Sequence, residues 1–499
     1  MNHHDRKNTP ALAGLLLAGL VSMHSGAALS APNGSFNLVG HIEAFTLANP
    51  SDPLSRATLT IRGIPVTLPK NLLIVMPGQY LTAQELFRWN PATHSFAASA
   101  QAQSGLALRD SPPPTVPFEA ETIGNIVNGE YIAGVVHISQ GGLHMTAGPI
   151  ASIDRNTSEF TVGAAGAAKA VRVRLNDPEG IYSLPSTTLD QRFALDPDNS
   201  PVHAKTGFPV CIPHNADPDK RCPASNRPAA PNQFRFTCAG TGNPLGPPAS
   251  PDAPAVNCDP SKPVPLAEGD YVTVVGMIAR DDHGDFLVAA HGLDAELGIY
   301  TSPGAPDAYV YIEEALQGSK GEPFDVSQEE TTRFRIVGFT TDPSRNVEIR
   351  LIDTGLDETG TSISGPVGLF PSNGPQLGRF RNTWPAKDDA RAVRRDVRAQ
   401  IIGHAPVKLP SGLTTGSYTA PIGEYIYPEV TRFGQKPAGV NAPIPVPVPF
   451  ENFCFLRTQA TISTLDEHTL GALTPFPASG HDKSQLTGLP GKHACSLDD

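Results

Sequence analysis

Alternating apolar and polar residues predict that this chain is built from β-strands. Residues 57–69 (ATLTIRGIPVTLP) alternate threonine and arginine with leucine, isoleucine and glycine, as expected for strands with one buried face. The preceding segment 35–47 (SFNLVGHIEAFTL) predicts a partner strand, so the two form an antiparallel unit. Residues 331–354 (TRFRIVGFTTDPSRNVEIRLIDTG) contain two further alternating runs, joined by a predicted turn at 342–346.

Two segments predict short helices. Thr82 and Glu85 have the spacing of a capping box, which predicts a helix at about 83–89. In 384–404 (WPAKDDARAVRRDVRAQIIGH) four apolar residues share one helical face, behind a proline and two aspartates that suit a helix start. From residue 393 onward a strand is the alternative prediction. The apolar residues of this face are Ala390, Val393, Val397 and Ile401.

Two similar segments predict an internal repeat. GEYIAGVVHI begins at Gly129 and GDYVTVVGMI at Gly269, each with a glycine, an acidic residue and a tyrosine before an alternating strand. GIYSLP at Gly180 and GIYTSP at Gly298 follow them along the chain. The alternative is that strands of any origin share these residue types, so that such similarities arise by chance.

Proline-rich stretches predict the domain boundaries. The segment 111–118 (SPPPTVPF) cannot continue the interior of a sheet and is predicted to separate two domains. A second segment, 442–450 (APIPVPVPF), predicts extended polyproline structure in the tail. The predicted units are a β domain at 32–110, β-barrel domains at 118–320 with a Cys- and Pro-rich insertion at 186–265, a third β domain at 326–430 and a tail at 431–499.

Composition agrees with a turn-rich β protein. The 499 residues include 46 glycines and 51 prolines without a Gly-X-Y period, which excludes collagen and implies many turns. We therefore predict an all-β fold of two or three small antiparallel barrels or sandwiches in tandem. One or two short helices and an irregular disulfide-bonded insertion complete this prediction.

Parts of the chain resemble known small barrels. EGDYVTVVG at 268–276, the Asp-His-Gly turn and FLVAA resemble the first hairpin of the oligonucleotide/oligosaccharide-binding (OB) barrel. GPIASID at 148–154, followed by FTVG and VRVRL, is similar to a bacterial family of secreted small-barrel domains without an assigned function. The resemblance covers about 129–183 and 266–312. It implies five-stranded barrels that often bind ligands, and it carries over no functional residue.

The N-terminus predicts export. Arg6 and Lys7 precede an apolar run at 11–23, and small residues follow, which predicts a signal peptide at 1–31 cleaved after Ser30 or Ala31. An uncleaved anchor is the alternative, but the run is shorter than the roughly 20 residues that span a bilayer. We therefore predict a secreted or periplasmic protein with no transmembrane segment in the mature chain.

Cysteine usage agrees with an oxidising compartment. The chain has six cysteines, an even number, and pairing them over the shortest loops predicts three disulfides. A zinc site is the alternative, which the absence of a CxxC pair disfavours. The predicted pairs are Cys211 with Cys222, Cys238 with Cys258, and Cys454 with Cys495.

The charge balance and the missing motifs exclude several functions. Lysine and arginine number 37 against 49 acidic residues, a net charge of −12, which disfavours nucleic acid as a partner. The chain has no Gly-x-Ser-x-Gly nucleophile elbow, no phosphate-binding glycine loop and no His-Glu-x-x-His pair. No catalytic residue is therefore assigned.

Two histidine pairs are candidate ligands for a first-row metal. His137 and His144 flank a Gly-Gly turn and are positioned to meet across a hairpin, and His283 and His291 flank FLVAA. The favoured alternative is that these are half-exposed strand histidines, because a metal site needs three or four ligands and no third is identified.

No cofactor is predicted except structural calcium, for which two acidic turns are candidates. Both offer several hard oxygen atoms within a few residues. The alternative is that these carboxylates hydrogen-bond their own turns. The first turn contains Asp281, Asp282 and Asp285, and the second contains Asp196, Asp198 and Asn199.

These observations predict an exported, non-catalytic structural or ligand-binding β scaffold of the cell envelope or extracellular space, with an unidentified partner there. The alternative is a secreted metal-dependent hydrolase whose site is assembled from distant loops, with the turn at 281–285 binding the metal.

Overall fold

The computed structural model describes residues 34–140, 144–166, 169–216, 221–240, 246–281, 283–318, 334–352, 363–365, 377–384, 396–421, 424–426, 453, 456 and 460–477. This part of the chain is almost entirely β-structure with one short α-helix, which confirms the predicted all-β class. None of its helices has the length and apolar character needed to cross a membrane.

The first unit is a closed five-stranded barrel. Its strand order is β3-β2-β1-β8-β9, and parallel pairing of β3 with β9 closes it. The predicted antiparallel unit is confirmed, because β1 pairs with β2, and β2 turns into β3 at Arg62 and Gly63, both of which have positive φ. The elements are β1 (Gly34–Leu47), β2 (Ala57–Ile61), β3 (Ile64–Leu68), β4 (Leu73–Val75), β5 (Tyr80–Thr82), α1 (Ala83–Leu86), β6 (Trp89–Asn90), β7 (Ser95–Phe96), β8 (Glu119–Val127) and β9 (Glu130–Ser139).

The predicted capping box starts α1. The Thr82 hydroxyl accepts the backbone N–H of Glu85 at 3.2 Å, and the Glu85 carboxylate accepts the backbone N–H of Thr82 at 2.8 Å. The helix ends at Leu86, earlier than predicted.

The predicted boundary at 111–118 does not separate two units. Strands β8 and β9, which follow it, complete the first barrel, and β8 pairs with β1 from Gly34–Ile126 to His41–Glu119. The prolines prevent strand pairing only within 111–118, and the chain returns to the same barrel after them. Strand partners are chosen by contacts between distant segments, so the first unit extends beyond 32–110 to Ser139.

The second unit is a barrel with the same strand order. The order is β12-β11-β10-β18-β19, and β12 closes on β19 in parallel. Its strands are β10 (His144–Asp154), β11 (Glu159–Val162), β12 (Val171–Leu175), β13 (Val202–Ala204), β14 (Val210–Cys211), β15 (Arg235–Cys238), β16 (Ala255–Val256), β17 (Val264–Pro265), β18 (Tyr271–Arg280), β19 (Phe286–Ala295) and β20 (Gly298–Thr301).

An irregular, disulfide-bonded segment lies between β12 and β18, as predicted. Two disulfides are present, Cys211–Cys222 and Cys238–Cys258, with Cα atoms 5.8 and 5.2 Å apart. They confirm two of the three predicted pairings. Cys454 and Cys495 lie outside the described residues. This segment also contains two short 3₁₀ turns, at Gln191–Phe193 and Ala224–Asn226.

The two barrels carry bulges at equivalent places. The fifth strand of each has one extra residue opposite a glycine of the fourth strand: Gly134 beside Gly124, and His291 beside Gly276. A Cβ on Gly124 would lie 2.0 Å from the carbonyl oxygen of Ile132, so only glycine fits at this close approach.

The segments predicted to repeat occupy different places in the two barrels. Gly129 precedes β9, the fifth strand of the first barrel, whereas Gly269 precedes β18, the fourth strand of the second. Gly180 lies in the loop after β12, and Gly298 begins β20. The predicted alignment is therefore shifted by one strand, because similar strand composition does not distinguish neighbouring strands.

The third unit consists of two four-stranded sheets around a common apolar core. Their orders are β25-β22-β21-β30 and β24-β23-β26-β29. The predicted strands at 331–354 are present as β22 and β23, one in each sheet. The elements are β21 (Val310–Gly318), β22 (Phe334–Thr340), β23 (Val347–Ile352), β24 (Ile363–Gly365), β25 (Arg379–Trp384), β26 (Asp396–Ile401), β27 (Val407–Lys408), β28 (Thr414–Thr415), β29 (Ser417–Pro421) and β30 (Glu424–Ile426).

The helix predicted within 384–404 is wrong for its described part. Residues Asp396–Ile401 form β26, which pairs with β23 and β29. Val397, Ala399 and Ile401 are fully buried at every second position, so the strand period matches the core better than a helical face would. The strand alternative is confirmed here, and residues 385–395 lie outside the described part.

A C-terminal strap, defined as residues 453, 456 and 460–477, packs on the first barrel. Its hairpin consists of β31 (Ala460–Ser463) and β32 (Glu467–Leu470). Lys70 and Thr474 exchange two backbone hydrogen bonds of 2.8 and 3.1 Å. Phe453 is fully buried over Gly134, where a Cβ would lie 2.5 Å from its ring. The predicted polyproline segment lies outside the described residues.

Candidate functional site

A cleft of about 980 Å³ lies where the two barrels, the third unit and the strap meet. Its walls come from the β4–β5 turn, the loops that follow β12, strands β26 to β29 and the tip of the strap. The principal lining segments are 75–80, 177–179, 194–199 and 463–465, together with side chains of β26 and β27.

A glycine brings the two barrels together at the cleft. Gly78 lies in the β4–β5 turn, and a Cβ there would be 2.4 Å from the carbonyl oxygen of Ala194. The Gln79 amide donates a hydrogen bond of 2.7 Å to the carbonyl of Gln191 next to this contact. The close approach fixes one side of the cleft, because any side chain at position 78 would push the turn away.

The predicted acidic turn at 196–199 forms part of the cleft wall. Asp196 accepts the backbone N–H of Asp198 at 2.8 Å and the side-chain amide of Asn199 at 2.6 Å. Asn199 also bonds Thr419 of β29, so the turn links the second barrel to the third unit. The sequence correctly grouped these residues, but their link to β29 spans 220 positions and has no local signal.

Asp196 has no cationic partner in the described part of the chain. Burial raises the pKa of Asp196 to about 6, while hydrogen bonds from Asp198 and Asn199 act in the opposite direction. The nearest lysine of the cleft, Lys408, pairs instead with Asp198 at 3.2 Å. Among the residues that the structure describes, no lysine, arginine or histidine forms an ion pair with Asp196.

Three further carboxylates of the cleft, those of Asp177, Glu179 and Asp396, were not identified from the sequence. Asp396 is buried at the start of β26 and accepts a hydrogen bond from the Tyr80 hydroxyl. Asp177 is fully buried, and burial raises its pKa although it accepts backbone N–H groups of Ile181, Tyr182 and Ser183. Asp177 therefore holds its loop in place, whereas Asp396 joins the first barrel to the third unit.

The calcium candidate at 281–285 shows turn hydrogen bonds. The Asp281 carboxylate accepts the backbone N–H groups of His283 and Asp285, each at 2.9 Å, and pairs with Arg172 at 2.8 Å. Asp282 lies outside the described residues. These bonds match the predicted alternative for Asp281, and calcium at this turn stays a prediction.

No hairpin connects the strands that carry His137 and His144. His137 lies on β9 of the first barrel, whereas His144 lies on β10 of the second barrel, beside β18. His283 and His291 lie along one chain segment, in the turn before β19 and at its bulge. Burial lowers the pKa of His291 to about 4. The hairpin prediction was wrong for His137 and His144 because the chain passes from one barrel to the next between them.

One group of potential metal ligands occurs among the described residues, and the sequence did not indicate it. Glu85, Asp466 and His468 place ligand atoms within 4.8 Å of one another. Glu85 belongs to α1, and the other two belong to the strap, more than 380 positions later. Only the capping box marked Glu85 in the sequence, and it predicts a helix start, not a contact with the tail.

The Glu85 carboxylate already accepts several hydrogen bonds from the strap. Its Oε1 atom accepts the Thr464 hydroxyl at 2.6 Å, the backbone N–H groups of Leu465 and Asp466 at 3.2 Å, and His468 Nε2 at 2.9 Å. The group therefore acts as a clamp between α1 and the strap, directly behind the part of the strap that lines the cleft.

The fold and the cleft define an all-β protein in which several units surround a cavity lined by acidic and apolar side chains. The chain matches no protein-family model, no curated protein and no solved structure.

Proposed function

We propose that this chain is an exported, non-catalytic ligand-binding β scaffold and that its ligand occupies the cleft between the units. The observation that carries the proposal is the cleft of about 980 Å³, whose walls come from four separate parts of the chain. Ligand sites commonly have volumes of roughly 300–1,000 Å³ and lie at junctions between domains.

The rigidity of the cleft supports a binding role. Gln79 and Gln191 join the first barrel to the second, while Asn199 and Thr419 join the second to the third unit. Hydrogen bonds between units hold the walls in position before a ligand arrives, which reduces the entropy lost on binding.

We further propose that both barrels belong to the OB class and are two copies of one unit. Each has the strand order three-two-one-four-five with parallel closure, and each has the same fifth-strand bulge opposite a glycine. If the two barrels had arisen independently, both the strand order and the fifth-strand bulge would have had to arise twice.

Export is proposed from the signal sequence and the disulfides. Two pairings, Cys211–Cys222 and Cys238–Cys258, are compatible with an oxidising compartment. Mass spectrometry of the mature protein from its natural source tests this proposal. A first residue at Ala31 or Pro32 supports export, whereas an intact N-terminus contradicts it.

A cleft-blocking variant tests the binding role. Ser463 is exposed and lines the cleft, so Ser463→Trp places a large side chain at the cavity with little disturbance of the fold. Ser152→Trp, on an exposed strand position outside the cleft, is the matched control. In a thermal-shift screen of small soluble compounds, we expect compounds that stabilise the native chain and the control but not Ser463→Trp. A screen in which every stabilising compound also stabilises Ser463→Trp would contradict the proposal.

A further inference from the structure

Carboxyl groups outnumber cationic groups in the cleft. Both cationic side chains are already engaged: Lys408 bonds Asp198 and the carbonyl of Pro197, and Arg398 donates to the Thr419 hydroxyl at 3.3 Å. The acidic residues of the lining are Asp177, Glu179, Asp196, Asp198 and Asp396. The cavity therefore favours a positively charged occupant over an anion.

In the described part of the chain, the titratable groups that interact with Asp196 are acidic or phenolic. Asp198 lies on the same turn, Tyr182 lies on the loop after β12, and Tyr418 lies on β29. The cationic groups of β26 and β27 bond other partners, as described above. Partial burial removes solvation from this carboxylate without supplying an opposite charge, so a cation placed beside it gains a strong interaction.

Resting on the proposed function, we infer that the cleft binds an organic cation whose primary ammonium or guanidinium group lies beside Asp196. Such a group donates hydrogen bonds and needs only acceptors, which the carboxylates and backbone carbonyls of the cleft provide. The apolar residues Val75, Phe96 and Leu195 supply surface for an alkyl chain.

The orientation of Asn199 disfavours a metal ion at the same place. Its amide nitrogen points at Asp196, at 2.6 Å, and its oxygen accepts the backbone N–H of Thr419 at 2.9 Å. A calcium ion requires six to eight oxygen ligands, and an amide nitrogen is not one. An ammonium group needs no such coordination shell.

Cation binding is expected to depend on pH. Burial raises the pKa of Asp196 to about 6, and a cation favours the ionised carboxylate, so binding releases a proton at lower pH. Affinity therefore rises as pH increases from about 5 to about 7.5, by roughly tenfold if only the ionised form binds.

Calorimetric titration of the full chain tests the inference. The ligands are cadaverine and the uncharged diol of the same chain length, each at about pH 5 and about pH 7.5. We expect cadaverine to bind once per chain with the stated rise in affinity, and the diol not to bind. The ammonium group can belong to a lysine of a polypeptide or to a free amine, and a short peptide with one central lysine distinguishes the two. Tighter binding of the peptide indicates a polypeptide ligand, and tighter binding of cadaverine indicates a free amine.

Two variants assign the effect to Asp196. Asp196→Asn should weaken cadaverine binding at least about tenfold at pH 7.5 and remove its pH dependence. Asp154→Asn is the matched control, because this exposed aspartate also accepts a backbone N–H two residues ahead and lies outside the cleft. Both variants should keep the circular dichroism spectrum of the native chain.

Several results would overturn the inference. These are equal binding of diamine and diol, affinity that does not change with pH, unchanged binding by Asp196→Asn, or stoichiometric binding of calcium ions in place of cadaverine. A neutral compound that binds the native chain but not Ser463→Trp would contradict the inference that the ligand is a cation. The proposed binding role of the cleft would still stand. The failure of the two proposals is therefore distinguishable.

Discussion

Asn199 and Thr419 exchange two hydrogen bonds across 220 positions of sequence. The Asn199 amide donates to the Thr419 carbonyl at 2.7 Å, and the Thr419 N–H donates to Asn199 Oδ1 at 2.9 Å. A side-chain amide thus bonds the backbone of β29 as a neighbouring strand would. This contact joins the second barrel to the third unit at the wall of the cleft.

Replacing Asn199 should loosen this junction. Asn199→Ala removes both bonds, together with the amide bond to Asp196, and leaves backbone groups of Thr419 without these partners, which costs about 1–3 kcal/mol of unfolding free energy. Asn215→Ala is the control, because Asn215 is exposed and, among the described residues, its side chain bonds only the exposed Asn156 side chain. Urea titrations in which both variants lose the same free energy would show that Asn199 does not link the units.

Glu85 should hold the strap on the first barrel. Glu85→Gln removes the charge from a fully buried carboxylate that accepts four hydrogen bonds from the strap, so we expect a loss of about 3 kcal/mol and faster hydrogen exchange in 460–477. Glu467→Gln changes an exposed glutamate of the same hairpin and should leave exchange unchanged. Exchange in 460–477 that is the same in both variants contradicts the clamp.

Gly134 should be intolerant of any side chain. Gly134→Ala places a Cβ 2.5 Å from the Phe453 ring and should destabilise the protein by about 1–3 kcal/mol. Gly292→Ala, next to the corresponding bulge of the second barrel, brings its Cβ no closer than 3.9 Å to another atom and is the control. The melting temperatures of the two variants are the measurement, and the double variant Gly134→Ala with Phe453→Leu should recover part of the loss.

Stability should depend on the ionisation of Asp196. Its pKa in the folded protein, about 6, lies above the ordinary value of 3.8, so protonation favours the folded state. This contribution is fully present below about pH 4 and is lost as the pH rises through about 6. Asp196→Asn should therefore gain stability relative to the native chain between pH 4 and pH 7.5, by on the order of 2 kcal/mol. Denaturant titrations of both proteins at pH 4 and pH 7.5 measure this difference. A difference in unfolding free energy that is the same at both pH values would contradict the prediction.

Metal removal separates the scaffold from the metal-dependent hydrolase. The carboxylates of Glu85 and Asp281 are engaged in hydrogen bonds and, for Asp281, in an ion pair. We therefore expect a chelator to leave the melting temperature unchanged and elemental analysis to find no stoichiometric metal. A melting temperature that falls with chelator, together with a bound metal, would favour the hydrolase instead.

Local features of this chain were predictable because their physical causes are local. The alternation at 57–69 specified β2 and β3, since each residue faces either the core or solvent by its own polarity. Thr82 and Glu85 specified the start of α1 through hydrogen bonds that span three residues. Cysteines separated by short loops specified two disulfides, since chain entropy favours near partners.

Only the tertiary structure decided which distant segments meet. Strand β8 joins β1 across a proline-rich segment, and β26 is a strand because β23 and β29 flank it. The wall of the cleft joins Asn199 to β29, and the clamp joins Glu85 to His468, between residues hundreds of positions apart. Such contacts depend on the packing of whole units, and a pattern of neighbouring residues carries no information about that packing.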